Sequence, residues 1–69
     1  MLPFEAEDAA QILAAKIRSA RIVRGWTQDE LAQRCEISKR TISTMETGSV
    51  SVQLGFVLKV LWAVGLIDD

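Results

Sequence analysis

The chain has 69 residues, no histidine, a single cysteine (Cys35), 25% charged residues and a formal net charge of −1. That length supports one domain at most, and a chain this short buries only about 60% of the surface its unfolded form exposes, which leaves room for a partner subunit. The composition argues against disulfide frameworks, zinc clusters and histidine-based catalysis.

No nucleophile and base stand at a useful spacing. Catalytic residues, metal ligands and cofactors are therefore not expected. Residues 1–8 are acidic and lack the apolar core of a signal peptide. The longest apolar run, 54–67, is interrupted by Lys59 and falls short of the roughly 18 to 20 residues needed to span a bilayer. The reading is a soluble cytoplasmic protein with no membrane association.

The net charge conceals an uneven distribution. Between residues 9 and 47 stand Lys16, Arg18, Arg21, Arg24, Arg34, Lys39 and Arg40 against Asp29, Glu30, Glu36 and Glu46. Glu5, Glu7 and Asp8 precede this middle, and Asp68 and Asp69 close the chain. A basic centre with acidic flanks fits either a solvated surface or contact with a polyanion.

The elements are predicted in chain order. Asp8 is a candidate cap for a first helix reaching about Arg24, on which Leu13, Ile17, Ala20 and Arg21 share one face. Gly25 ends it. Thr27 stands three residues ahead of Glu30, the spacing at which hydroxyl and carboxylate satisfy each other's free backbone N–H groups. Trp26, just before that cap, is placed to pack on Leu31 as a hydrophobic staple. A second helix over about 28–35 follows.

The same grammar then repeats. Ile37 precedes the cap candidate Ser38, and Ile42 stands where Leu31 stood. A third helix is predicted over about 39–46, with Ile42 and Met45 inward and Lys39, Arg40, Ser43 and Thr44 outward. Two capped and stapled helices joined by a turn of three or four residues make a helix-turn-helix unit at about residues 28–46. Gly48 supplies the stop. The fourth segment, 51–64, is apolar nearly all the way round, more than one core face requires, and Gly65 with Leu66 ends it. The predicted organisation is one domain over 1–69, with an acidic segment at 1–7, a core at 8–66 and a short acidic tail at 67–69.

The run "WTQDELAQRCEISKRTISTMETG" resembles the helix-turn-helix of the lambda-repressor/Cro group, also called the XRE family. Its T-Q-x-E-L-A, S-x-x-T-I-S and E-x-G pieces occur together at the usual offsets. The resemblance is strongest over 21–48 and extends through Gly65. It implies an all-α, compact four- to five-helix DNA-binding domain without enzymatic activity. Residue by residue, Gln28 matches a phosphate-contacting position at a helix start. Lys39, Arg40, Ser43 and Thr44, with Ser38 and Thr41 beside them, match positions that face base edges and phosphates in the major groove. Lys39 and Arg40 are the stronger candidates, because lysine and arginine suit guanine O6 and N7. Arg21 and Glu46 match a buried ion pair of the scaffold.

Three departures from the family pattern stand out. Glu36 occupies the turn position usually held by glycine, where a left-handed backbone costs a non-glycine residue roughly 1 kcal/mol. Thr47 replaces a common asparagine, and Cys35 replaces an apolar residue as core filling. Arg18 and Arg24 fit flanking phosphates or plain solvated surface.

The expected partners are double-stranded DNA and a second copy. Phe56, Val60, Trp62, Leu66 and Ile67 are the candidate dimer interface, and Gly55 is read as permitting a close helix approach. Such a dimer would set two recognition helices about 34 to 36 Å apart on an approximate palindrome, as befits a transcriptional repressor. The ending "SVQLGFVLKVLWAVGL" is also similar to the last helix of antitoxins that pair with HipA-type kinase toxins and repress their own operon. That similarity makes a toxin protein the alternative partner.

Overall fold

A computed structural model describes residues 4–67. Among them it places four helices: α1 (Phe4–Val23), α2 (Gln28–Cys35), α3 (Lys39–Glu46) and α4 (Leu54–Ala63). The all-α architecture is as the sequence predicts. α1 starts four residues before Asp8, which lies exposed inside the helix and caps nothing. The reason is local. Residues 4–8 contain no glycine or proline, and Glu5 and Glu7 favour the positive end of the helix dipole.

Both predicted caps form. Thr27 Oγ1 accepts from the Glu30 N–H at 3.1 Å, while Glu30 Oε1 accepts from the Thr27 N–H at 2.9 Å. Those contacts with the Thr27 backbone and hydroxyl hold the Glu30 carboxyl below the usual carboxylate range. Ser38 Oγ accepts from the Thr41 N–H at 3.0 Å. Trp26 and Ile37, the residues ahead of the two caps, both pack against the core.

Three helices end in the same six-to-one hydrogen-bonded turn. Trp26 N–H donates to the Arg21 carbonyl at 3.2 Å, Ile37 N–H to Ala32 at 3.1 Å and Leu66 N–H to Leu61 at 2.8 Å. The left-handed residue in these turns is Gly25 (φ 73°), Glu36 (φ 57°, ψ 40°) and Gly65 (φ 82°) respectively. Glu36 is the one non-glycine residue with positive φ among the described residues.

The core gathers one face from each helix. Ile17 comes from α1, Leu31, Ala32 and Cys35 from α2, Ile42 and Met45 from α3, and Val60 from α4, with Val64 just beyond. Ile17, Leu31, Ile42, Val60 and Val64 are essentially fully buried, each contributing about 1.5 to 3 kcal/mol of burial. α2 packs against both α3 and α4, and α1 packs against α3.

α4 begins at Leu54, later than the predicted start at 51, because Ser49 and Ser51 bond to each other instead. Their hydroxyls are 2.8 Å apart, and the Ser51 N–H donates to Ser49 Oγ. The structure corrects one expectation for this helix. Val60, a candidate dimer residue, is 0% exposed and belongs to the monomer's own core; on α4 it lies on the face turned to the rest of the core. A Cβ at Gly55 would meet nothing within 4 Å, so this glycine serves no close approach within the chain. No helix among the described residues is long and apolar enough to cross a membrane.

Candidate nucleic-acid interface

α3 has eight residues, of which only Ile42 and Met45 are buried. Its remaining surface follows from that choice. Arg40, Ser43, Thr44 and Thr47 fall at the i, i+3, i+4, i+7 spacing of the opposite face, with Lys39 alongside. Lys39, Arg40 and Ser43 are exposed and Thr44 is half-buried. No hydrogen bond or ion pair among the described residues engages the side chains of Lys39, Arg40 or Ser43. The first turn of α3 holds no carboxylate to offset the positive end of its dipole.

The other predicted contact residues behave differently. The Ser38 and Thr41 hydroxyls lie 2.8 Å apart, committed to the cap and to each other. Thr47 Oγ1 donates to the Thr44 carbonyl. Gln28 sits at the start of α2, where a phosphate contact is expected, but its amide Nε2 donates to Glu46 Oε1 at 3.3 Å. Its side chain thus bonds to the scaffold.

Glu46 is the hub that fixes this surface in place. Arg21 Nε donates to Glu46 Oε2 at 2.8 Å and Arg21 Nη2 to Glu46 Oε1 at 3.0 Å, while Arg21 Nη1 reaches the Trp26 carbonyl at 2.8 Å. The side chains are 12% and 4% exposed. One carboxylate at the end of α3 thereby ties down α1, the loop before α2, and α2 itself.

Two features of this surface were not anticipated from the sequence. A cleft of about 310 Å³ is lined by Arg40, Thr41 and Thr44 on one side and by Ser51, Val52, Gln53 and Phe56 on the other. The loop before α4 thus flanks the outer side of α3, a long-range placement that no local pattern in the sequence marks. Arg34 lies 4.2 Å from the centre of the Trp26 ring, with Arg24 at 5.7 Å. These cation–π contacts keep two of the basic residues close to the α1–α2 turn. Cys35 is buried and free, and burial pushes its thiol up. No cluster of three or more residues suited to holding a metal occurs among the described residues.

The outer face of α4 is apolar. Leu54, Leu58 and Trp62, at four-residue intervals, are 70%, 45% and 59% exposed, and Leu66 and Ile67 continue the exposed surface. Phe56 is half-buried and packs on the core. Leu54 and Leu58, absent from the sequence-based interface, carry the stripe that Val60 cannot.

Two short, capped helices presenting a polar outer face define a helix-turn-helix domain, and the chain belongs to that family: the helix-turn-helix domain profile matches residues 12–69. More particularly, the chain is 32% identical over 65 residues to the "Neisseria hypothetical transcription factor" of Neisseria meningitidis serogroup B (strain ATCC BAA-335 / MC58). The match covers 94% of this chain and 60% of the relative, so the chain spans less than two thirds of that protein's length. No solved structure matches.

Proposed function

We propose that the chain is a sequence-specific double-stranded DNA-binding transcriptional regulator, a repressor acting as a homodimer on a palindromic operator. The observation that carries this reading is the outer face of α3, where Lys39, Arg40 and Ser43 stand exposed on a scaffold locked by Glu46. Arginine and lysine at that place suit guanine edges in the major groove, each good bidentate pair discriminating by about 1 to 3 kcal/mol. Ser43 and Thr44 add hydrogen bonding, and Ser38 and Thr41 set the orientation of the helix start. The similarity to a protein named as a transcription factor supports the same class.

The apolar α4 stripe of Leu54, Leu58 and Trp62, with Leu66 and Ile67, supports a two-fold partner. The same stripe supports a second reading, an antitoxin that binds a HipA-type kinase toxin. A stable complex with a neighbouring gene's product would favour that one.

Selection of bound duplexes from a random pool tests the main reading. The expected result is a paired, inverted site. Lys39→Ala and Arg40→Ala should each lose at least tenfold in affinity for it, at unchanged helical content by circular dichroism. Leu58→Glu should keep half-site binding and lose the preference for paired sites. Undiminished binding by both basic-residue variants would overturn the assignment of readers.

A further inference from the structure

The outward side of α1 takes no part in the core or in the proposed DNA surface. Its centre line carries Phe4 (78% exposed), Ile12 (59% exposed) and the exposed small residues Ala15 and Ser19. Charged residues flank it on both sides, and all are exposed. Glu5 and Lys16 lie on one flank, and Glu7 and Arg18 on the other, as helical periodicity dictates. Asp8 lies on the centre line itself.

The spacing of these charges is the informative feature. Glu5 to Lys16 and Glu7 to Arg18 are each eleven residues apart, about 16 Å along the helix. Pairing within one helix requires three or four residues, and no ion pair engages any of the four among the described residues. Each flank is therefore acidic in its first half and basic in its second, and neither sign is neutralised by its own helix. An antiparallel helix of the same sequence would set acid against base along both flanks at once.

We propose that this face of α1 docks against α1 of a second copy, antiparallel, with the two-fold axis near Ile12. With the axis between Gln11 and Ile12, Glu5 and the partner copy's lysine at position 16, and Glu7 and its arginine at position 18, are each offset by about 3 Å along the helices, within reach of the long basic side chains, and the two Ile12 side chains meet near the centre. The flank pairs fix the register, and antiparallel helices with small residues between them approach to about 8 to 10 Å. The contact is independent of α3 and of the α4 stripe. It gives each chain a second self-complementary surface, through which operator-bound dimers would join side by side.

Sedimentation of the full chain tests this. The wild type should show a mass that rises with concentration, and part of that rise should disappear between about 0.05 M and about 1 M salt. Glu5→Lys with Glu7→Lys should remove the salt-sensitive step, as should Lys16→Glu with Arg18→Glu. An equimolar mixture of these two double variants should restore it, because each supplies the charges that the other now needs. Ile12→Glu in both partners should abolish the restored species, whereas general attraction between oppositely charged proteins would survive that change. Circular dichroism checks that each variant is folded. Double variants that sediment like the wild type, a mixture that stays at the mass of its components, or a mixed species indifferent to Ile12→Glu would each overturn the proposal. None of these outcomes bears on DNA binding by α3.

Discussion

Glu36 is a residue whose replacement should stabilise the domain. It holds the left-handed position of the turn that ends α2, at φ 57° and ψ 40°, where the equivalent turns after α1 and α4 use Gly25 and Gly65. A side chain with a Cβ costs about 1 to 2 kcal/mol in that conformation. Glu36→Gly removes the cost but gives up about 0.4 to 1 kcal/mol through the greater freedom of glycine in the unfolded chain. The carboxylate also stands at the negative end of the α2 dipole, so its removal returns about 0.3 to 1 kcal/mol more. The net gain is about 1 kcal/mol, which in a domain of this size raises the melting temperature by about 4 to 8 °C. Thermal melts followed by circular dichroism would measure it, with Glu36→Gln as the control that removes charge and keeps the Cβ. If Glu36→Gly melts no higher than Glu36→Gln, the left-handed backbone is not the source of strain.

The interior ion pair and the α2 cap give two further expectations. Glu46→Ala strands the Arg21 guanidinium in a site where that side chain is only 12% exposed, and should cost about 3 to 5 kcal/mol in a denaturant titration. Arg21→Met with Glu46→Leu should recover most of that loss, since a matched apolar pair leaves no charge behind. For Glu30 the sign follows from its lowered folded value. Its contribution is fully present above the unfolded carboxylate range and is lost as pH falls through the folded value. Glu30→Gln should therefore flatten the acid side of the stability-against-pH profile and leave its alkaline side unchanged; an identical acid slope would remove Glu30 from the account.

The parts of the fold that were legible in the sequence are those fixed by local rules. The Thr27–Glu30 box, the Ser38 cap and the glycine stops are short-range hydrogen-bond patterns, and they placed α2 and α3 to the residue. The start of α1 differs from the predicted one for a related reason. Asp8 is a good cap residue by type, but nothing in residues 4–7 breaks a helix, and acidic side chains near its start favour an earlier beginning. The division of α4 was harder to read. When residues are apolar nearly all round, periodicity does not say which face the rest of the fold will claim, and so does not separate the buried Val60 from the exposed Leu54 and Leu58. Gln28 shows the same limit for polar groups. Its position at a helix start is local, but its bond to Glu46 is made eighteen residues away.

That long-range bond also explains why a helix of only eight residues can hold its orientation. Ile42 and Met45 alone fasten α3 to the core by burial, and two apolar contacts on one side do not fix the roll of a helix about its axis. Glu46 adds the missing constraint, because a carboxylate held by two guanidinium bonds and one amide has little freedom to turn. The exposed positions are thereby relieved of any part in stability. Lys39, Arg40 and Ser43 form no bond within the described residues, so changes there should alter what the surface recognises and leave the melting temperature nearly constant. Changes at Arg21, Gln28 or Glu46 should act in the opposite sense, loosening α3 while leaving its exposed side chains unchanged, and on the proposed reading would weaken binding to every DNA sequence alike.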